Sequence, residues 1–242
     1  MTPHIHPSGV LPGGILPLRA ERYEKQPWVE LGWPGLDPKA PCIDILVFDD
    51  SGSVTAAHGA DPVGSRFTEA KHAIANVAQW THTRRSKIAV LHFDHPHGAS
   101  GVHPLTERRL QQKLDPSLRT PRMGNGTSDL SPSLAEAERL AEAHPDHDTR
   151  LTVFSDFELT DADPGAVLTR LENFPGLVHA VVLGRNAPLD LDAAANITVT
   201  PLSERDAPGT FAAAIHRSLT ATRRAARYSV VHSPRGGRQL LP

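Results

Sequence analysis

From Ile43 onward the chain alternates between two textures. Short, nearly continuous apolar runs recur: IDILVF (43–48), KIAVLHF (87–93), RLTVFS (150–155), LVHAVVLG (177–184) and NITVTPL (196–202). They are rich in β-branched residues, as expected of strands covered on both faces. Between them lie helical patterns. In RFTEAKHAIANVAQW (66–80), Phe67, Ala70, Ile74 and Val77 fall on one face. SPSLAEAERLAEA (131–143) opens with Ser131 as the expected N-cap and Pro132 at the first helical position. DPGAVLTRLENF (163–174) and DAPGTFAAAIHRSLTATRRAA (206–226) complete the set. Strands alternating with helices predict an α/β fold, a parallel sheet with helices on both faces. There is no internal repeat.

The ends read differently. Residues 1–41 are dense in Pro and Gly and carry no periodic pattern, so they predict an irregular N-terminal arm. Trp28 and Trp33 within it imply that the arm lies on the domain or on a partner. The domain itself is expected over 42–225. A basic tail follows over 226–242, where SVVHS could add a short strand and RGGRQLLP looks disordered alone.

Composition narrows the function classes. The 242 residues suit one sizeable domain plus arms. A net charge of −2 gives no global pull toward nucleic acid or membrane. Cys42 is the one cysteine, which excludes an internal disulfide and a cysteine-based zinc site and fits a reducing compartment. No run of about 18 apolar residues suggests a membrane span. The first residues lack the basic and apolar regions of a signal peptide. The expectation is a soluble, cytoplasmic protein. Its preference for arginine over lysine and its abundant alanine hint at a bacterial source.

The candidate chemistry sits where the first strand ends, in IDILVFDDSGSV (43–54). In open α/β sheets, ligands bind beyond the carboxyl ends of the strands. No G-x-G-x-x-G and no P-loop follows this strand, so the nucleotide fingerprints are absent. A serine-hydrolase elbow lacks its first glycine before Ser51, and a D-x-D phosphotransfer motif would need an acid at Ser51. A metal reading fits better: Asp49, Ser51 and Ser53 offer a carboxylate and two hydroxyls at alternate positions, an oxygen set suited to Mg²⁺. The alternative is that these short polar residues simply turn the chain and cap the next helix. Two further loops should open on the same edge: MGNGTSDLSPSLAEA (123–137), with Thr127, and LTVFSDFELTD (151–161), with Asp156.

With these residues in hand, the chain resembles a von Willebrand factor A domain with a metal-ion-dependent adhesion site (MIDAS), over about residues 42–225. The ordered matches are Asp49, Ser51, Ser53, Thr127 and Asp156, and DPVGSRFTEAKHA (61–73) resembles the corresponding loop and helix of bacterial intracellular members. The departure is SDFE (155–158), where the family more often has Thr-Asp-Gly, so that Phe157 replaces a glycine. The resemblance implies a doubly wound, three-layer, Rossmann-like fold with a six-stranded, mostly parallel sheet. One short antiparallel edge strand is expected within 98–106. It implies that Ser51, Ser53 and Thr127 bind Mg²⁺ (or Mn²⁺), that Asp49 and Asp156 bind it directly or through water, and that a partner's Asp or Glu completes the shell. It further implies a non-enzymatic interaction module in a bacterial multi-protein system, beside an ATPase, kinase or phosphatase. The rival readings are a structural subunit with a vestigial site and a metal-dependent phosphoester hydrolase using His92 or His95 as base.

Other features carry weaker expectations. His92, His95, His97 and His103 could gather a second metal, but a histidine-rich flexible loop is the expected form; His4 and His6 in the arm carry less weight still. Asp50 is expected to support the metal ligands from behind or to stand at the rim of the site, and Asp61 could pair with Arg66 to fix the loop above it. The arginines after Asp206, from Arg217 to Arg238, could dock an acidic partner or nucleic acid, or form a helix C-terminus and a solvated tail.

Overall fold

The computed structural model describes residues 29–56, 59–61, 65–122, 126–184, 191, 195–203, 206–227, 229–232 and 238–240. His4, His6 and Trp28 of the arm, residues 62–64 and 123–125 of two singled-out loops, and Arg235 lie outside the described residues.

The strands are β1 (Val29–Glu30), β2 (Cys42–Phe48), β3 (Ser86–His92), β4 (His103–Pro104), β5 (Asp148–Ser155), β6 (Leu177–Leu183), β7 (Ile197–Leu202), β8 (Val230–His232) and β9 (Arg238–Leu240). The helices are α1 (Gly52–Thr55), α2 (Ser65–Gln79), α3 (Leu110–Leu114), α4 (Ser131–Glu142), α5 (Pro164–Glu172) and α6 (Thr210–Thr220). Six strands form one sheet in the order β4-β3-β2-β5-β6-β7. All neighbours are parallel except the edge strand β4, which runs antiparallel to β3. From β2 the chain moves outward to β3 and β4, then returns to β5 on the other side of β2. The topological switch point therefore lies beside β2, whose carboxyl end leads into Asp49.

The period-2 pleat sorts the side chains into two cores. Leu46, Phe48, Val90, Phe154 and Val181 face α2 and α6, with Phe67, Ile74, Phe211 and Ile215 packed above them. Ile45, Val47, Ala89, Val153 and Ala180 face α4 and α5, meeting Leu134, Ala137, Val167 and Leu171. Directly beneath the carboxyl edge, Phe48 stacks on Phe154 with ring centroids 4.8 Å apart and meets Phe67 at 5.1 Å. Removing such a ring costs about 3–5 kcal/mol, so this stack is a firm base for the loops that leave it.

The arm and the tail meet. β1 pairs antiparallel with β8, and β8 with β9, in a small second sheet. Both tail segments are therefore strands, including the one in RGGRQLLP that looks disordered in isolation. Asp37 of the arm accepts from His82 N–H at 2.9 Å, Thr83 N–H at 3.1 Å and the buried Arg223 guanidinium at 2.7 Å. No helix among the described residues is long and apolar enough to cross a membrane.

Candidate metal centre at the carboxyl edge

The acid-hydroxyl cluster begins as the ladder of β2 runs out. Asp49 N–H still donates to the Phe154 carbonyl at 3.0 Å; the chain then turns into the one-turn helix α1. The turn is made by Asp49 itself, whose Oδ1 accepts from Ser51 N–H at 2.8 Å, as short acidic side chains do in turns. Ser51 and Ser53 then point the same way, their Oγ atoms 3.0 Å apart. Asp49 Oδ2 accepts from the Ser155 hydroxyl at 2.5 Å, and Ser155 Oγ in turn accepts from Phe157 N–H at 2.8 Å. Ser155 thus binds the end of β5 to the end of β2.

Asp156 follows immediately and is buried; its Oδ1 accepts from Glu158 N–H at 3.1 Å. Burial pushes the Asp49 carboxyl up to about 6, hydrogen bonds from Ser155 and Ser51 pull against that, and the Asp156 charge adds to it. Two carboxylates thus share one buried edge with two serine hydroxyls. Phe157, at the position where the family more often has glycine, takes the left-handed backbone with φ 57°. For a bulky residue this costs about 1–2 kcal/mol. Its ring is 8% exposed and packs into the core over α4 and α5, which offsets that strain.

Thr127 comes to the same edge by way of Asp94, just past the end of β3. Asp94 accepts from Gly126 N–H at 3.1 Å and from Thr127 N–H at 3.2 Å. Gly126 has φ 63°, and a Cβ there would lie 3.5 Å from the Asp50 carbonyl oxygen, so this loop rests on the loop of Asp49. The Thr127 hydroxyl oxygen accepts from Asp129 N–H at 3.0 Å. The next residues are laced to the loop after β5: the Thr160 hydroxyl donates to Asp129 at 2.7 Å. Asp161 accepts from Leu130 N–H and Ser131 N–H, both at 2.9 Å. The start of α4 is therefore capped by Asp161 from another loop. Ser131, the expected N-cap, is already helical.

Of the two expected places for Asp50, the structure gives the one behind the site and not the rim. Asp50 is 4% exposed and faces inward, accepting from Arg66 Nη2 at 3.0 Å and from His92 Nδ1 at 2.5 Å. Arg66 also pairs with Asp61 at 3.0 Å, the expected partner. His92 is fully buried, and its Nε2 is bonded to the Ser117 carbonyl at 2.7 Å. Both ring nitrogens are thus committed away from the carboxyl edge, which removes the base that the hydrolase reading assigned to His92. The other histidines disperse: His97 bonds the Asp94 carbonyl at 3.1 Å and His103 bonds Glu107 at 2.7 Å. Among the described residues, no three His, Cys, Asp or Glu side chains gather to hold a metal ion. The candidate set at the carboxyl edge is different in kind, two carboxylates supplemented by hydroxyls. An all-oxygen set of this type fits a hard divalent cation. The sequence reading missed Asp94, Ser155 and Asp161, which position the loops. The polar strand-end residues Asp94 and Ser155 were the available signal.

No protein-family model matches the chain, and no curated protein matches it. Solved structures do. A von Willebrand factor type A protein from Catenulispora acidiphila superposes with a TM-score of 0.55 at 16% identity, covering 80% of this chain and 49% of its own. The pilus adhesin SpaC from Lactobacillus rhamnosus GG gives 0.56 at 13% identity, over 77% of this chain and 30% of its own. Proximal thread matrix protein 1 from the mussel byssus, solved with a zinc-occupied MIDAS motif, gives 0.52 at 17% identity, over 77% and 49%. The chain thus spans half or less of the length of these neighbours. Its sheet order, antiparallel edge strand and flanking helices agree with the likeness: the chain has the von Willebrand factor type A fold.

Proposed function

We propose that Asp49, Ser51, Ser53, Thr127 and Asp156 hold a divalent cation, Mg²⁺ or Mn²⁺, through which the domain binds a protein partner. The observation that carries this reading is the meeting of two buried carboxylates with the paired Ser51 and Ser53 hydroxyls at the switch point of the sheet. The zinc-occupied MIDAS motif of the mussel protein, on the same fold, supports it. In this reading Ser51, Ser53 and Thr127 are neutral ligands, and Asp49 and Asp156 bind directly or through water. The bound cation supplies a positive anchoring point. Hydroxyl ligands leave its charge incompletely neutralised, which favours an incoming Asp or Glu. The contact needs no bond-making, so the domain acts as an interaction module and not as an enzyme. Its setting is a bacterial cytoplasmic multi-protein system, with an ATPase, kinase or phosphatase as the kind of partner sought.

The test is calorimetric titration of EDTA-stripped protein with Mg²⁺ and Mn²⁺, alongside Asp49→Ala and Ser51→Ala. Saturable uptake by the wild type, lost in both variants while their melting stays cooperative, is the expected result. Affinity capture from the native cell in Mg²⁺ and in EDTA then identifies the partner. A wild-type protein that takes up neither ion would sink the proposal.

A further inference from the structure

The face of the sheet beneath α6 changes character along its length. Toward the carboxyl edge it is apolar, with Phe154, Val181 and Leu202. Toward the other end, the same pleat positions are Arg150 and Thr152 on β5, His179 on β6, and Thr198 and Thr200 on β7. His179 bonds Ser218 of α6 and Thr200, and Arg150 donates to Asp44 and to Thr222. Above them, α6 and its C-cap present small residues, Ala213, Ala214, Ser218 and Ala221, and a gap remains between helix and sheet beside the contact of His179 with Ser218. The result is a cavity of about 670 Å³. Small-molecule sites span roughly 300–1,000 Å³.

The lining is cationic. Arg150, Arg217, Arg223 and Arg227 contribute to it, and no Asp or Glu does among the described residues. Arg150 and Arg223 have carboxylate partners in Asp44 and Asp37, neither of which lines the cavity. Yet each keeps its Nε–H buried without a hydrogen-bond partner, at 5% and 7% residue exposure. A buried donor left unpaired is costly and is normally met by something. Thr152 lies four residues before Asp156 on β5, roughly 13 Å along the strand, so this cavity is separate from the carboxyl edge.

We infer that the cavity between α6 and the polar end of the sheet is a second binding site, for a small organic anion. Its phosphate or carboxylate group meets the arginines and the Thr152, Thr198 and Thr200 hydroxyls. Its apolar part lies against Leu177, which is half exposed at the cavity, and the alanines of α6.

The test is an NMR titration of isotope-labelled full-length protein with phenyl phosphate and, separately, benzoate, in EDTA. Two variants run alongside. Arg217→Gln changes an exposed position and spares the core, and Thr152→Val keeps shape while removing one hydroxyl. Saturable shifts centred on Thr152, His179 and Thr200, at least about tenfold weaker in either variant, are expected. Which probe binds identifies the anionic group. Asp49→Ala should bind the probe as wild type does, which separates this site from the metal reading. Absence of saturable binding by both probes, or binding of equal strength in both variants, would overturn the inference.

Discussion

Arg66 reaches back seventeen residues to hold the backbone of Asp49: its Nη2 donates to the Asp49 carbonyl at 3.1 Å. The same nitrogen serves Asp50, and Nη1 serves Asp61. One buried guanidinium therefore fixes the start of the acid-hydroxyl loop to the first long helix. Removing it takes the guanidinium partner from both Asp50 and Asp61. Arg66→Ala is expected to cost about 3–5 kcal/mol in urea unfolding, the range for breaking a buried ion pair. Arg66→Lys keeps the charge but loses the fork, and should recover only part of that stability.

Ser155 is the second support. Its hydroxyl donates to Asp49 and its oxygen accepts from Phe157 N–H, at full burial. Ser155→Ala is expected to destabilise by about 1–3 kcal/mol, because both partners lose a bond where water does not reach. The same variant should weaken metal uptake in calorimetry, since Asp49 Oδ2 loses the contact that aims it. Unchanged uptake would mean that Ser155 only supports the fold.

Phe157 sets two terms against each other. Glycine at this position would relieve about 1–2 kcal/mol of left-handed strain. It would also leave the space of a buried aromatic ring, a loss of about 3–5 kcal/mol. Phe157→Gly is therefore expected to lower stability, by about 1–4 kcal/mol after subtraction, as read by chemical denaturation. A gain in stability would mean that the ring contributes little to the core over α4 and α5.

Acid should loosen the end of the sheet under α6. Burial holds His179 down at about 4, with Arg217 adding to the effect, and His216 at about 4, with Arg223 adding. An unfolded histidine takes a proton near 6.5. Between pH 6.5 and 4 the unfolded chain thus binds more protons at these positions, and stability falls as pH drops through that window. The slope is at most about 1.4 kcal/mol per pH unit per histidine. Asp49, raised to about 6, works in the opposite sense below that value. Comparing wild type with His179→Gln in urea melts from pH 7.5 to 4.5 isolates one histidine: the variant should show the shallower loss. Parallel curves would contradict the assignment.

Much of this was legible in the chain because it depends on local pattern. Strands buried on both faces read as apolar runs, and α2 shows its core face through Phe67, Ala70, Ile74 and Val77. The D-x-S-x-S spacing and the order of Thr127 and Asp156 marked the carboxyl edge. What escaped was set by distant partners. Asp161 caps α4 from 30 residues away, and Asp50 meets His92 across 42. Neither relationship leaves a periodic trace. The polar floor beneath α6 was visible as Arg150, Thr152, His179, Thr198 and Thr200, but lay inside runs read as simply apolar. The pleat had to be placed before those residues shared a face. β9 was missed because three residues acquire strand geometry only from the β8 neighbour beside them.

The small sheet of β1, β8 and β9 has a consequence for the order of assembly. Val29 pairs with Val231 across nearly the whole described chain, so among the described strand pairs β1–β8 closes the longest loop. Such a contact is the most expensive in chain entropy until the body between has folded. The parallel sheet and its helices must form first, and the two ends then fasten across the finished domain. On the return path the sequence reverses. Amide hydrogens of this sheet should exchange with solvent well before those of β2 and β5, marking it as the seam along which the native state opens.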